Sequence, residues 1–155
     1  MTSLANQPIN IDRLKTKQEQ QEIAHFIEQN PNITTIDLIL FDMNGVVRGN
    51  GSTPPNSAKS WSKRICLPAS VFALDICGET VEETGLGFEK GDGDRICRIV
   101  PNSLQVVPWQ ENSAQAIVTM YEPETNQPFF ADPRHVLDLQ VKKLKSKRLS
   151  SVCRG

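Results

Sequence analysis

The chain has 155 residues, which is enough for one domain with its own core and too short for two large domains. Hydrophobic residues make up 38% and charged residues 23%, a balance that is typical of a folded globular chain. Lys and Arg number 17 against 18 Asp and Glu, and this near-neutral balance argues against a dedicated nucleic-acid or membrane-surface binder, because both usually need a basic excess.

Residues 1–12 are polar and are predicted to form a disordered tail. They have neither the basic nor the apolar region of a secretion signal, so we expect a cytoplasmic protein. The four cysteines stand at positions 66, 77, 97 and 153 without a Cys-x-x-Cys pair, and neither histidine lies near them in the sequence. Structural zinc sites need closely spaced soft ligands, so we predict no metal site and expect reduced, buried thiols.

A helix is predicted over residues 12–29. Ile23 and Ile27 lie four positions apart on its apolar face, which Ala24 widens, and polar residues fill the other face. The Asn-Pro pair at 30–31 ends the helix, because a residue before proline avoids the helical region.

A hairpin should follow the helix. Residues 36–41 alternate in the manner of a strand, Asn44-Gly45 favours a tight turn, and residues 46–48 return. Residues 50–63 are rich in Gly, Ser and Pro and predict a surface excursion, whereas the apolar residues 65–73 should pack beneath the domain.

Residues 75–94 predict a long acidic loop with seven acids, five glycines and only Lys90 as a base. Its glycines fit neither a dinucleotide-binding pattern nor a P-loop, and Asp92-Gly93-Asp94 lacks the remaining ligands of a calcium loop. Asp75 opens the loop directly after an apolar run. Such a carboxylate can be held in place to bind a cation or accept a proton, although a plain solvated loop acid remains the alternative.

The C-terminal half predicts strands over residues 96–100, 104–107 and 114–121, the last with a short partner that ends at Phe129-Phe130. Asp132-Pro133 should begin a helix, because Asp caps free N–H groups and Pro suits the first helical position. The pattern as a whole predicts an α+β fold: a mostly antiparallel sheet with an N-terminal and a C-terminal helix. The apolar face of the last helix should comprise Leu137, Val141 and Leu144.

Three segments resemble the N-terminal region of the glutamine synthetase family, most closely its gamma-glutamylputrescine (polyamine) synthetase-like branch. They are LILFDMNGVVRG, LPASVFALDICGETVEETGLG and PFFADPRHVL, the last standing before a basic helix. The resemblance implies a β-grasp domain over residues 13–132. It also implies that residues 133–155 form a basic helix leading to a catalytic domain that this chain lacks.

The resemblance also implies a chemistry. Family enzymes use ATP, with Mg²⁺ or Mn²⁺, to phosphorylate the γ-carboxylate of glutamate, and ammonia or an amine then displaces the phosphate. Their active sites lie between neighbouring subunits of a homo-oligomeric ring, where the N-terminal domain of one subunit closes the site of the next. An aspartate of this domain, in an F-D-G-S-S context, holds and deprotonates the ammonium ion, and Asp75 stands at the matching position.

Two departures from the family pattern modify this expectation. Asp75 is followed by Ile-Cys-Gly, which favours an alkylamine or polyamine over ammonia, and the acidic loop would attract a polycation, so Glu82 and Glu83 are predicted to bind the amine. The chain ends at SSVCRG without the metal-binding E-x-E strand of the family. We therefore expect a truncated or altered reading frame, no site for ATP, metal or glutamate in this chain, and no activity on its own.

A second hypothesis is a stand-alone, non-catalytic β-grasp module that binds other proteins. The two differ in their surfaces: a domain separated from a synthetase should expose an apolar patch and associate, whereas an independent module should be monomeric.

Overall fold

The computed structural model describes residues 11–52, 65–87 and 92–147. The predicted tail up to residue 10, most of the predicted excursion (53–63), part of the acidic loop (88–91) and the end of the chain (148–155) lie outside the described residues. Helix α1 spans Ile11–Gln29, and the strands are β1 (Thr35–Phe41), β2 (Val47–Ser52), β3 (Cys66–Pro68), β4 (Asp94–Ile99), β5 (Gln105–Val106) and β6 (Ser113–Tyr121). Helix α2 spans Pro133–Ser146, and two 3-10 turns span Ala69–Ala73 and Glu82–Thr84.

The strands form one mixed sheet in the order β2-β1-β6-β4-β3, with β5 beside β6. Strands β1 and β6 are parallel, and the other neighbours are antiparallel. Strand β6 holds the sheet together, because its first half pairs with β1 and its second half pairs with β4. The predicted α+β class, with a helix near each end of the described chain, is confirmed; the β-grasp assignment stays a prediction.

The core lies on one face of β1 and β6. The alternate residues Ile36, Leu38 and Leu40 of β1 are buried, as the period of a strand requires. Ile23 of α1 and Phe72 of the first 3-10 turn complete this cluster. The helix therefore buries the predicted stripe through Ile23, but Ala24, expected on the same stripe, is exposed.

The predicted hairpin forms with a longer loop than a two-residue turn. The Asp42 N–H donates to the Val46 carbonyl, which leaves three residues in the loop, and only Gly45 adopts a positive φ, of 75°. A type I turn followed by a left-handed residue is the usual three-residue solution. The returning strand continues to Ser52, so residues 50–52 belong to β2 and not to the predicted excursion.

The C-terminal elements form as predicted, except that one short strand is missing among the described residues. The expected partner of β6 shrinks to a single bridge between Tyr121 and Pro128. Asp132 caps α2 as expected, since its side chain accepts from the Arg134 N–H. None of the side chains of α2 is buried by the described part of the chain. Neither helix combines the length and apolar character that a membrane span would require, as far as the described residues go.

Candidate functional site

Asp75 lies in a tight turn immediately after the buried 3-10 turn. The Asp75 N–H donates to the Glu79 carbonyl and the Gly78 N–H to the Asp75 carbonyl, at 2.8 and 3.1 Å. The side-chain Oδ1 accepts from the N–H groups of Cys77 and Glu79 at 2.8 and 2.9 Å. Gly78 provides the positive φ, of 88°, that the reversal needs. One carboxylate oxygen is therefore fixed by backbone donors, while Oδ2 accepts no hydrogen bond from the residues that the structure describes.

The loop of the β1–β2 hairpin repeats this turn in every backbone detail. Asp42 Oδ1 accepts from the N–H groups of Asn44 and Val46 at 2.8 and 2.9 Å, and the Gly45 N–H donates to the Asp42 carbonyl. Both turns thus have the sequence Asp-x-x-Gly-x, with the glycine at positive φ. They differ in burial, because Asp42 is 2% exposed and Asp75 is only half-buried.

Arg48 of β2 joins the two turns. Its Nε donates to Asp42 Oδ2 at 2.9 Å, and its Nη2 donates to the Asp75 carbonyl at 3.1 Å. The Asn44 side chain adds a second connection, because its Nδ2 donates to the Leu74 carbonyl at 3.1 Å. The hairpin and the Asp75 turn therefore form one hydrogen-bonded unit, which we call the double turn (residues 42–48 and 74–79).

The carboxylates of Asp42 and Asp75 have different electrostatic surroundings within the double turn. Burial alone would raise the pKa of Asp42, but the Val46 N–H, the Arg48 guanidinium and the Asn44 N–H stabilise its charged form and hold the pKa below the ordinary value of 3.8. Asp42 is thus a structural group whose charged form is favoured and whose two oxygens both accept hydrogen bonds. Of the two residues, only Asp75 has a carboxylate oxygen without a hydrogen-bond partner in the part of the chain that the structure describes.

The predicted amine-binding pair lies further along the same segment, on the 3-10 turn Glu82–Thr84. Leu74 pairs with Thr80 across an isolated bridge, and the Val81 N–H donates to the Ala73 carbonyl, so this turn is tied back to the segment that carries Asp75. Glu83 is exposed, whereas the half-buried Glu82 carboxylate lies against Gly87. Of the two residues, Glu83 therefore presents its carboxylate more openly.

Asp92 has a structural role that sequence reasoning did not predict. Its Oδ1 accepts from the Ser70 N–H at 3.0 Å and its Oδ2 from the Ser70 hydroxyl at 2.6 Å. These bonds attach the end of the acidic loop to the 3-10 turn that precedes Asp75. Among the described residues, no group of His, Cys, Asp or Glu is arranged to hold a metal ion.

The described cysteines differ in their surroundings. Cys97 is buried, and burial, together with nearby Cys66 and Asp132, raises the pKa of its thiol to about 12. It is therefore a protonated core residue without nucleophilic character at neutral pH. Cys66 and Cys77 are exposed, contrary to the expectation that the thiols are buried. Cys153 lies outside the described residues.

The sequence singles out Asp75 as a candidate but not the residues that hold it. It indicates only a turn at Asn44 and assigns no role to Asp42 or Arg48. The available signal was the second Asp-x-x-Gly, residues 42–45, which matches the Asp75 turn. The contact between the two turns joins residues 27 positions apart and could not be inferred without the sheet topology.

The fold and this site can be compared with known proteins. No protein-family model matches the chain. Gamma-glutamylputrescine synthetase PuuA of Escherichia coli (strain K12) is 40% identical over 133 residues, which cover 85% of this chain and 28% of that protein. A solved structure of a GmaS/ADP complex (conformation 1) matches with a TM-score of 0.56 at 19% identity, over 80% of this chain and 25% of that one, and shares the fold.

By these matches the chain resembles the glutamine synthetase family, to which both of these proteins belong. The matched residues cover 28% of the length of the curated relative. The family resemblance expected from the three sequence segments is thereby confirmed. Two of those segments contain the two halves of the double turn, one around Asp42 and the other around Asp75.

Proposed function

We propose that this chain is the N-terminal part of a glutamine synthetase-type ligase that forms an amide between the γ-carboxylate of glutamate and an amine, with ATP as the energy source. The similarity to gamma-glutamylputrescine synthetase supports the reaction class, at 40% identity over 133 residues. In this proposal ATP, with its Mg²⁺ or Mn²⁺, and glutamate are bound by the rest of the enzyme.

In this proposal the Asp75 carboxylate binds the incoming ammonium group and takes its proton. The amine nitrogen then attacks the γ-glutamyl phosphate, the new C–N bond forms, and the C–O bond to phosphate breaks. The observation that carries this role is the geometry of Asp75: two backbone donors hold Oδ1, and Oδ2 has no hydrogen-bond partner among the described residues. A fixed carboxylate loses little orientational freedom when it binds a cation, which is what an acid–base group requires.

The exposed apolar side chains beside Asp75 support a position at the mouth of another subunit's active site. Ile76, next to Asp75, is 78% exposed, and Met43, in the other turn, is 64% exposed. Exposed apolar groups at two adjoining turns are typical of a surface that another protein covers. The domain would close the neighbouring site in a homo-oligomeric ring.

The amine is proposed to be an alkylamine or polyamine. Ile76 and Cys77 stand where the F-D-G-S-S context of ammonia-using members has a glycine and a serine, and the apolar Ile76 side chain suits the methylene chain of a diamine. Glu83 on the adjacent 3-10 turn would attract the second cationic end electrostatically, with Glu82 as the predicted companion.

The test uses a chimaera in which this chain replaces the matching part of gamma-glutamylputrescine synthetase. Asp75→Asn keeps an oxygen for the Cys77 and Glu79 N–H groups and removes only the charge. We expect kcat/KM for putrescine to fall at least about a hundredfold, the usual contribution of a general base, while KM for ATP stays the same. Coupled ADP release measures both quantities. Asp138→Asn, on exposed α2, is the matched control and should have no effect.

The same assay on the 155-residue chain alone, with glutamate, Mg·ATP and putrescine or ammonia, should give no turnover. Turnover by the isolated chain would contradict the proposal that the rest of the enzyme binds ATP and glutamate. A fully active Asp75→Asn chimaera would contradict the role of Asp75.

A further inference from the structure

Contacts from outside its own segment hold the Asp75 turn in place. Nη2 of Arg48 donates to the Asp75 carbonyl at 3.1 Å, and Nδ2 of Asn44 donates to the Leu74 carbonyl at 3.1 Å. Both donors come from the β1–β2 hairpin. The position of the Asp75 carboxylate relative to the sheet is therefore set by the hairpin as well as by the turn itself.

The hairpin can act in this way because Arg48 is itself immobilised. The Arg48 and Asp42 side chains are 20% and 0% exposed, and the Nε–Oδ2 distance between them is 2.9 Å. A guanidinium group has its donors in a rigid plane, so the bond from Nε to Asp42 also fixes the direction in which Nη2 points. A lysine at this position would have a single ammonium group on a flexible chain and could not fix both bonds.

We infer that Arg48, oriented by Asp42, is a positioning residue for amine use: it holds the Asp75 turn where the carboxylate meets the amine. This inference rests on the function proposed above for Asp75. Arg48 donates to the backbone of Asp75 and to the carboxylate of Asp42, and not to the Asp75 carboxylate, so Oδ2 of Asp75 remains open for the substrate cation. The fold thus uses one arginine to pair with the buried Asp42 carboxylate, while that arginine contacts only the backbone of Asp75.

The first test measures the turn itself in the 155-residue chain, by amide hydrogen exchange at Cys77 and Glu79, whose N–H groups bind Asp75 Oδ1. Arg48→Lys keeps the positive charge and should accelerate exchange at both amides roughly tenfold, because the turn opens more often without its external contact. Asn44→Ala leaves the buried Arg48–Asp42 pair intact and should give a smaller increase at the same amides.

The matched control is Arg98→Lys. Arg98 is a half-buried arginine of β4 that stacks over Tyr121 and donates to the Asn126 side chain, and it has no contact with the double turn among the described residues. Its replacement should leave exchange at Cys77 and Glu79 unchanged. Unchanged exchange in both Arg48→Lys and Asn44→Ala would overturn the inference, as would equal acceleration in Arg98→Lys.

The second test uses the chimaera. Arg48→Lys should raise KM for putrescine at least roughly tenfold, because a carboxylate that is less well positioned binds the ammonium group less tightly, and should leave KM for ATP unchanged. A general structural defect would change KM for putrescine and KM for ATP by the same factor, and that result would overturn the inference. If Asp75→Asn impairs putrescine use and Arg48→Lys does not, only the role of Arg48 fails. If Asp75→Asn has no effect, the proposed function fails, and the positioning role fails with it.

Discussion

Asp42 and Asp75 lie in two turns of the same type, but they differ in burial and in their contact with Arg48, and these differences suit them to different roles. Each accepts two backbone N–H groups on Oδ1, but the second oxygen of Asp42 binds Arg48, whereas that of Asp75 has no partner among the described residues. A buried, fully bonded carboxylate contributes to stability. A half-exposed carboxylate with a free oxygen is suited to binding a cation.

The stability contributed by Asp42 should depend on pH in a defined direction. Its folded-state pKa lies below 3.8, so the contribution is fully present above that ordinary value and is lost as the pH falls through the lower folded-state value. Asp42→Asn should lower the free energy of unfolding at pH 7 by about 3 kcal/mol, because it leaves the Arg48 charge without its partner. Urea denaturation from neutral pH to about pH 3 measures both effects.

The comparison with Asp138→Asn separates Asp42 from a general loss of carboxylate charge, because Asp138 lies on the exposed surface of α2. We expect that control to follow the unsubstituted chain at every pH. If Asp42→Asn also follows it, the buried pair contributes nothing to stability, and the pH argument is wrong.

At the scale of elements, local sequence signals predicted most of the structure. The alternation in residues 36–41, the Gly45 turn and the Asp132 cap act over a few residues, and each produced the expected element. Local signals did not predict the features that depend on pairing between strands. The length of β2 depends on its register with β1, and the partner of β6 shrank to one bridge, neither of which is encoded locally.

Gly49 of β2 provides a test of how closely β2 approaches β1. A Cβ at this position would collide with the Leu38 carbonyl oxygen, a backbone atom of β1 that cannot move without disturbing the sheet. Gly49→Ala should therefore lower the free energy of unfolding by about 2 kcal/mol, a usual cost of overpacking. Thermal or urea unfolding of the 155-residue chain measures it.

The matched change is Gly93→Ala, where a new Cβ meets nothing within 4 Å. Its effect should stay within about 0.5 kcal/mol, as for most exposed positions. Equal stability of the two variants would mean that β2 can move away from β1 freely. Since Arg48 directly precedes Gly49, movement of β2 would also mean that the double turn is not rigid.

At the scale of the whole molecule, the apolar face of α2 lacks a cover within the described residues. Leu137 is 63% exposed and Leu144 is 38% exposed, and both belong to the apolar face that the sequence predicts. The helix itself forms as predicted, but sequence periodicity identifies an apolar face and not the surface that buries it.

This surface should make the chain associate. Light scattering should give an apparent mass that rises above 17.3 kDa with concentration, because exposed apolar patches favour contact between copies. Leu137→Glu should reduce the association, whereas Trp109→Glu, at a residue outside α2 that is 76% exposed, should not. A chain that stays monomeric at all concentrations would instead favour the independent interaction module.

The repeated Asp-x-x-Gly turn gives the protein an internal reference for binding experiments. The amides of Asn44 and Val46 report on a carboxylate that is already saturated, and those of Cys77 and Glu79 on one that is open, in the same local geometry. An amine that binds specifically should alter the NMR signals of the second pair and spare the first. A change of solvent, salt or temperature would move both pairs together, so one spectrum distinguishes recognition from a bulk effect.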